Sequence, residues 1–451
     1  MVTCKLSRYT HLFAKHNATF LYHSLRMETE IVPADTVVRD DRTIRLNDAV
    51  LAERLLQKGF LIHSAGDDDR LLHDYRQDIQ APYISTAYFF ITKNCNLACR
   101  YCFEKQSEVS NSNEGIMSAE TVEKGLRFFS RLIRLEPERF YEKKTIIFYG
   151  GEPFHNKKVL FHAIDTVNQY TAAGKLPAST RMLIVTNGTL LHDDDIEFIR
   201  KNNITLTFSL DGDREASVNR VFPDMKTLAW EKATETFQKC KAAGIDLNVA
   251  CTLTPQTIAR QREVLDYFIH TVQAPNIGFN VILDNDIIQL GTDYDDAAAD
   301  FVASSFDILN EKGITENRTR RRLQVFDKRR PCLFDCNAAG GRQIAIAPNG
   351  EVGICHEHIM DKKHFITTID NLRFDPQQSP VYREWQKRSP LYMEECYDCP
   401  ALGICGGGCV INTERKYGTI HRPDPRFCKQ TLAILQKILL RAERPEDKSV
   451  N

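Results

Sequence analysis

Between about residues 85 and 284 the chain alternates six short apolar runs with helical patterns, and this alternation limits the fold more than any other feature. The runs at 88–92, 145–149, 181–186, 204–210, 246–252 and 277–282 read as buried strands, being short and rich in β-branched and aromatic residues. Helical spacing fills the intervals near 118–134, 156–171, 193–202, 228–243 and 256–271. Strand–helix alternation predicts a parallel sheet with right-handed crossovers. Six units, rather than eight, predict an incomplete barrel of the (β/α)6 TIM-like kind. The C-terminal ends of parallel strands share one face, where such folds place their chemistry. The unusual residues of this chain fall there. Cys95, Cys99 and Cys102 follow the first run, and Gly150-Gly151-Glu152-Pro153 follows the second. Asn187-Gly188 follows the third, and Ser209-Leu210-Asp211-Gly212 closes the fourth.

The first loop carries three cysteines at spacing C-x3-C-x2-C. An iron–sulfur cube normally takes four thiolates, so three on one loop leave one iron open to a small ligand. A zinc loop completed from elsewhere, or three unrelated buried thiols, are the alternatives. Fourteen cysteines are present; eight of them lie between Cys332 and Cys428, and only Cys4, Cys240 and Cys251 are scattered. Two dense clusters in a cytoplasmic chain point to metal or iron–sulfur ligation rather than disulfides. With 59 basic against 60 acidic residues, nothing marks a nucleic-acid or membrane-surface binder. No apolar stretch approaches a membrane span, and the N-terminus lacks a signal-peptide core. A cytoplasmic protein is expected.

Ahead of the barrel, His11–Ala14 and Thr19–Leu25 read as a hairpin, and Ala49–Leu56 as a helix capped by Asn47 or Asp48 and closed by Lys58-Gly59. Phe60–His63 resumes as a strand, and the charged run Gly66–Arg70 reads as a solvated connection. Beyond the barrel, Asp295 to Lys312 is helical, and Arg318-Thr319-Arg320-Arg321-Arg322 reads as a solvated helix face, with binding of substrate carboxylates as the alternative. Ile344 to Val352 is a hairpin with an Asn-Gly turn.

The middle of the chain resembles the radical S-adenosylmethionine (radical SAM) enzymes. On that resemblance Cys95, Cys99 and Cys102 hold a [4Fe-4S] cluster, and Tyr101 contacts the cofactor. Gly150, Gly151 and Glu152 hold the cofactor's amino group, Ser209 and Asp211 match the fourth-strand cofactor region, and Arg220 sits where relatives often carry a basic residue for the cofactor's carboxylate. The open iron chelates S-adenosylmethionine, and one electron then releases a 5′-deoxyadenosyl radical; the protein supplies placement and a dry cavity. The tail resembles the SPASM extension of that family, which carries two auxiliary [4Fe-4S] clusters. By the resemblance Cys332, Cys336, Cys355 and Cys409 hold one, and Cys396, Cys399, Cys405 and Cys428 the other; two zinc sites are the alternative.

The resulting organisation is an N-terminal α+β segment (1–84), a radical SAM partial barrel (85–284), a helical bridge (285–330) and a loop-rich SPASM domain (331–451). The first segment loosely resembles leader-peptide-recognition units; a packing extension is the alternative. The family acts mostly on side chains of peptides or proteins, with an electron donor such as flavodoxin or ferredoxin. In its sulfatase-maturing branch an aspartate serves as base where this chain has His356, in Cys355-His356-Glu357-His358. The expected activity is therefore oxidative modification of a ribosomally made peptide, by a thioether or carbon–carbon crosslink, with His356 and His358 as candidate bases. Oxidation of cysteine or serine to formylglycine is the alternative. An electron-passing or redox-sensing iron–sulfur protein is a third reading, and it has no use for a cofactor-chelating Gly150-Gly151-Glu152.

Overall fold

The computed structural model describes residues 2–15, 18–33, 37–40, 42–102, 115–282, 288 and 290–442. These form two compact units, one of Met1–Gln80, Thr319–Ala339 and Gln386–Asn451, the other of Ala81–Arg318 and Gly340–Trp385.

In the first unit, strands β1 (Val2–Leu6), β2 (Thr10–Lys15), β3 (Ala18–His23), β4 (Glu28–Pro33), β5 (Val37–Asp40), β6 (Thr43–Leu46) and β7 (Leu61–Ile62) make two small sheets, ordered β5-β6-β1-β7 and β2-β3-β4. The β2–β3 pair is the expected hairpin, antiparallel with Lys15 opposite Ala18; its turn residues His16 and Asn17 lie outside the described residues. Asp48 caps the helix Ala49–Gln57 by accepting from the Val50 N–H at 2.8 Å. The run Gly66–Arg70 is not a connection: it lies in the helix Ala65–Gln77. The physical reason is capping. The Asp67 carboxylate accepts the N–H groups of His63 and Ser64 at 2.8 and 3.0 Å, and acidic residues in a first turn favour the helix dipole.

The N-terminal segment is joined to the cysteine-rich tail inside this unit. Tyr9, Leu25 and Leu72 share one apolar cluster with Leu391, Met393, Cys396 and Leu402. Gly403 donates to the Ser24 carbonyl at 3.0 Å, and Arg8 and Arg42 hold Asp398 at 3.2 and 3.1 Å. The basic stretch is also not wholly a solvated face. Arg322 is fully buried, and Arg321 and Arg322 converge on Asp335, which gives their charge a partner; Arg322 Nε also donates to Thr431 Oγ1 at 3.2 Å.

In the second unit, β8 (Thr86–Thr92), β9 (Thr145–Gly150), β10 (Arg181–Thr186), β11 (Thr205–Ser209), β12 (Leu247–Leu253) and β13 (Asn276–Val281) pair in parallel, each with the next, as a partial TIM-like barrel. Helices Ala119–Leu132, Lys157–Ala172, Asp193–Lys201 and Trp230–Ala242 fill the crossovers. The stretch expected as one helix at 256–271 is three pieces, Pro255–Ala259, Gln261–Asp266 and a π turn at Tyr267–Thr271, with Arg260 outside helical geometry at the first break. Four further strands extend the sheet: β14 (Thr315–Glu316) beside β13, β15 (Gln343–Ile346) parallel to β8, then β16 (Glu351–Gly353) and β17 (Phe365–Thr368) antiparallel. The Asn349-Gly350 hairpin thus belongs to the barrel sheet.

Alternation places side chains. Ala87, Phe89, Phe148, Leu206, Phe208 and Cys251 are fully buried, as befits the helix-covered face. The opposite face carries Tyr88, Tyr149, Thr207, Ser209, Asn248 and Asn280, all only partly buried. One face therefore supplies the core and the other a lined, accessible surface. No helix among the described residues is long and apolar enough to cross a membrane.

Candidate active site

The loop after β8 is held by backbone bonds: Ala98 N–H donates to Val221 O at 2.6 Å and Arg100 N–H to Asn219 O at 2.9 Å. The Leu97 N–H donates to the Cys95 sulfur at 3.4 Å. None of the fourteen cysteines is joined in a disulfide. The Gly150-Gly151 turn lies directly on the chain entering this loop. Gly151 N–H donates to Thr92 O and Glu152 N–H to Asn94 O, both at 2.9 Å. A Cβ at Gly150 would stand 2.1 Å from Thr92 O, and one at Gly151 would stand 2.4 Å from Asn94 O. Gly150 also has φ +144, so only glycine permits this approach.

Glu152 is fully buried. Its carboxylate accepts from Thr186 Oγ1 at 2.8 Å, the Asn187 N–H at 2.7 Å and the Phe154 N–H at 3.2 Å, the last as cap of the 3-10 turn Pro153–Asn156. Burial outweighs these donors and pushes its carboxyl up to about 7. Tyr101, Asp211 and Arg220 form a single group, Asp211 and Arg220 buried and Tyr101 partly so. Tyr101 Oη donates to Asp211 at 2.5 Å and accepts from Arg220 Nη1 at 2.8 Å, while Asp211 also takes the Thr252 N–H at 3.0 Å. Burial raises the Asp211 carboxyl, against the lowering effect of Arg220. Ser209 stands at the end of β11, partly buried. The cysteine loop, the glycine turn and this group thus meet at the C-terminal ends of β8, β9 and β11.

The two histidines part company. His356 stacks on Tyr88, centroids 4.1 Å apart and planes 8° apart, with the Tyr149 ring edge-on at 5.2 Å. Its Nδ1 is buried without a hydrogen-bond partner among the described residues, and burial lowers its pKa to about 4, leaving the imidazole neutral. His358 is buried elsewhere, Nδ1 on Asp361 at 2.9 Å and ring against His364 and Trp385.

Of the tail cysteines, Cys396, Cys399, Cys405 and Cys428 gather within the first unit; the Cys428 thiol lies in the electrostatic reach of the other three. Burial pushes Cys396 up to about 12 and Cys399 to about 11, so thiolates here need a cation or metal beside them. Cys332, Cys336 and Cys409 belong to the same unit, Cys355 to the other.

Sequence reasoning passed over the supports of this cluster. Gly406, Gly407 and Gly408 run consecutively at φ +76, +87 and +73, and a Cβ on Gly406 would meet Asp335 N at 2.5 Å. Arg388 is fully buried, donates to Thr413 Oγ1 at 2.9 Å and to Met393 Sδ at 3.4 Å, and puts a positive charge among Cys409, Cys405 and Cys396. The glycine triplet was a visible signal; a lone arginine in Gln-Lys-Arg-Ser was not.

A parallel partial barrel with a three-cysteine loop and a glycine turn at its C-terminal face defines a radical SAM domain. Residues 89–268 match the Radical SAM superfamily, so the chain carries a radical SAM domain and is an enzyme. It is 21% identical over 483 residues to the radical SAM cyclopropyl synthase TigE of Paramaledivibacter caminithermalis, covering 97% of this chain and 96% of TigE. It is 24% identical over 332 residues to a cysteine-type anaerobic sulfatase-maturating enzyme of Clostridium perfringens, covering 70% of this chain and 86% of that enzyme. The structure of Streptococcus suis SuiB bound to precursor peptide SuiA is similar in fold, with a TM-score of 0.54 at 14% identity over 94% of this chain and 99% of SuiB.

Proposed function

We propose that this enzyme oxidatively modifies a residue of a ribosomally made peptide, most simply by forming a thioether or carbon–carbon crosslink. The observation that carries the reading is the meeting of the Cys95–Cys102 loop, the Gly150-Gly151 turn and the Tyr101–Asp211–Arg220 group, on a chain whose tail gathers further thiols. Similarity to SuiB, which was captured with a precursor peptide, supports the substrate class.

In this reading Cys95, Cys99 and Cys102 would hold a [4Fe-4S] cluster with S-adenosylmethionine, which, given one electron from a donor such as flavodoxin or ferredoxin, would supply the chemistry that takes hydrogen from the substrate. Gly150 and Gly151 offer backbone with no side chain in the way. The buried carboxyl of Glu152, raised to about 7, would return to its charged form beside an ammonium group. Arg220 and Asp211 hold the Tyr101 ring, and Ser209 completes that edge. His356 stays a candidate base because its imidazole is neutral and its buried Nδ1 has no hydrogen-bond partner among the described residues, although burial, which lowers its pKa to about 4, makes it a weak one. His358 is the second candidate. Cys332, Cys336, Cys355 and Cys409, and separately Cys396, Cys399, Cys405 and Cys428, are proposed to hold two auxiliary clusters. The four thiols gathered around Cys428, with Arg388 and the glycine triplet beside them, fit an anionic cluster.

The proposed compartment is the cytoplasm, where thiols stay reduced and a flavodoxin or ferredoxin can supply electrons. Residues 1–84 are proposed to recognise the peptide through the edges of the β2-β3-β4 sheet. Anaerobic reconstitution with iron and sulfide is expected to give about twelve irons per chain, four per cluster, and deoxyadenosine from S-adenosylmethionine. Zinc in the tail after purification from zinc-limited medium would refute the auxiliary clusters. Similarity to the sulfatase-maturating enzyme favours a second reading, formylglycine formation. Mass spectrometry separates the two: a crosslinked peptide supports the first, an aldehyde at cysteine or serine the second.

A further inference from the structure

Asn187, directly after β10, is nearly fully buried, and its backbone N–H and both ends of its side-chain amide are committed. Its backbone N–H is held by Glu152 Oε2 at 2.7 Å. Its side-chain oxygen accepts from the Thr189 N–H at 2.9 Å and from Thr189 Oγ1 at 2.6 Å. Those two donors settle which end of the amide is oxygen, so the NH2 group must face the other way. There it donates to Asn96 Oδ1 at 3.0 Å and approaches the Cys95 sulfur at 3.8 Å. Asn96 closes the ring by donating its own Nδ2–H to Thr189 Oγ1 at 2.8 Å. Each donor and acceptor in this circuit has one consistent direction, and neither amide can rotate without breaking two bonds.

We propose that Asn187 is a positioning residue that aims an N–H donor at the Cys95 sulfur and thereby raises the reduction potential of the cluster held there. The inference rests on the reading that Cys95, Cys99 and Cys102 ligate that cluster. Hydrogen bonds to cluster sulfurs stabilise the more negative, reduced state, and groups behind the ligands tune a metal site through such bonds. The arrangement ties potential to cofactor geometry as well, because the same Glu152 that follows Gly150-Gly151 fixes the Asn187 backbone.

The test is an EPR-monitored redox titration of the reconstituted full-length protein. The cluster in question is identified as the one whose signal changes when S-adenosylmethionine is added. Asn187→Leu removes both side-chain donors at similar volume, and its cluster is expected to titrate at a more negative potential than the parent's, with unchanged iron content. Thr189→Val keeps the amide but removes one of the bonds that orient it, and a smaller shift of the same sign is expected. An unmoved potential in a loaded Asn187→Leu protein overturns the proposal. If that variant does not load, Thr189→Val decides in the same way, a negative shift supporting the role and an unmoved potential overturning it. A parent protein with no cluster responsive to S-adenosylmethionine would instead defeat the ligand reading on which the inference stands.

Discussion

Glu152 shows how much one side chain can hold. Two backbone N–H groups and a hydroxyl converge on its carboxylate, yet burial still lifts its pKa from the usual 4.5 to about 7. The sign of the consequence follows from proton binding. Between about pH 4.5 and 7 the folded protein holds a proton that the unfolded chain has lost, so this residue's contribution to stability declines as pH rises through that window. A shift of that size corresponds to about 3 kcal/mol. Urea unfolding of the cluster-free protein and of Glu152→Gln at several pH values checks it. The difference in unfolding free energy, parent minus variant, is expected to fall by up to about 3 kcal/mol from pH 4.5 to 7.5 and to stay level above that. A pH-independent difference would mean that Glu152 ionises normally.

At the scale of elements, the N-terminal segment carries a structural duty alongside any role in recognition. Leu25 and Leu72 lie in one cluster with Leu391, Met393, Cys396 and Leu402, and Arg76 donates to the Leu391 carbonyl at 2.9 and 2.8 Å. Removing the segment would strip the apolar cover from the loop that bears Cys396 and Cys399. Leu25→Ala is therefore expected to cost about 2–5 kcal/mol, as buried leucine truncations do. Reconstituted Leu25→Ala protein should also lose iron from the tail while still forming deoxyadenosine. Recognition is better probed on the surface. Ile31 is half exposed on the edge strand β4, and Ile31→Asp is expected to weaken peptide binding about fivefold with iron content unchanged, the loss of roughly 1 kcal/mol of apolar contact. Unchanged affinity by fluorescence anisotropy would leave the segment with its packing role alone.

For the molecule as a whole, generating a radical and finishing the product are separable tasks. Hydrogen abstraction leaves one electron to be disposed of, and an auxiliary cluster is the proposed acceptor. Replacing Cys355 and Cys409 together by alanine should leave deoxyadenosine forming yet yield little or no modified peptide. Circular dichroism and iron counts on the variant guard against simple unfolding, because thiolate–iron bonds also brace loop-rich chain. Full modification by a folded variant lacking that cluster would remove the acceptor role.

What the sequence determined by itself is what repeats or caps locally. The strands 145–149 and 181–186 were legible because a short continuous apolar run rich in β-branched and aromatic residues marks a strand covered by its neighbours; they stand in the structure as Thr145–Gly150 and Arg181–Thr186. The helix cap at Asp48 and the Asn349-Gly350 turn were legible for the same reason, each being a bond made within a few residues. The Ser64–Asp67 cap was equally local and was missed because a charged run masks a helix start when only hydropathy is weighed. Spacing marked Cys95, Cys99 and Cys102. The strand-end pattern put Asn187 on the same face, but nothing local showed that its amide, just beyond β10, meets the Cys95 sulfur. Nor did periodicity show that β15 pairs with β8, that Arg388 is buried among thiols, or that residues near Tyr9 and Leu402 share a core. Periodicity records whether a side chain is covered, not by what; the partner is chosen by packing and hydrogen-bond satisfaction between segments hundreds of residues apart, which only the tertiary structure decides.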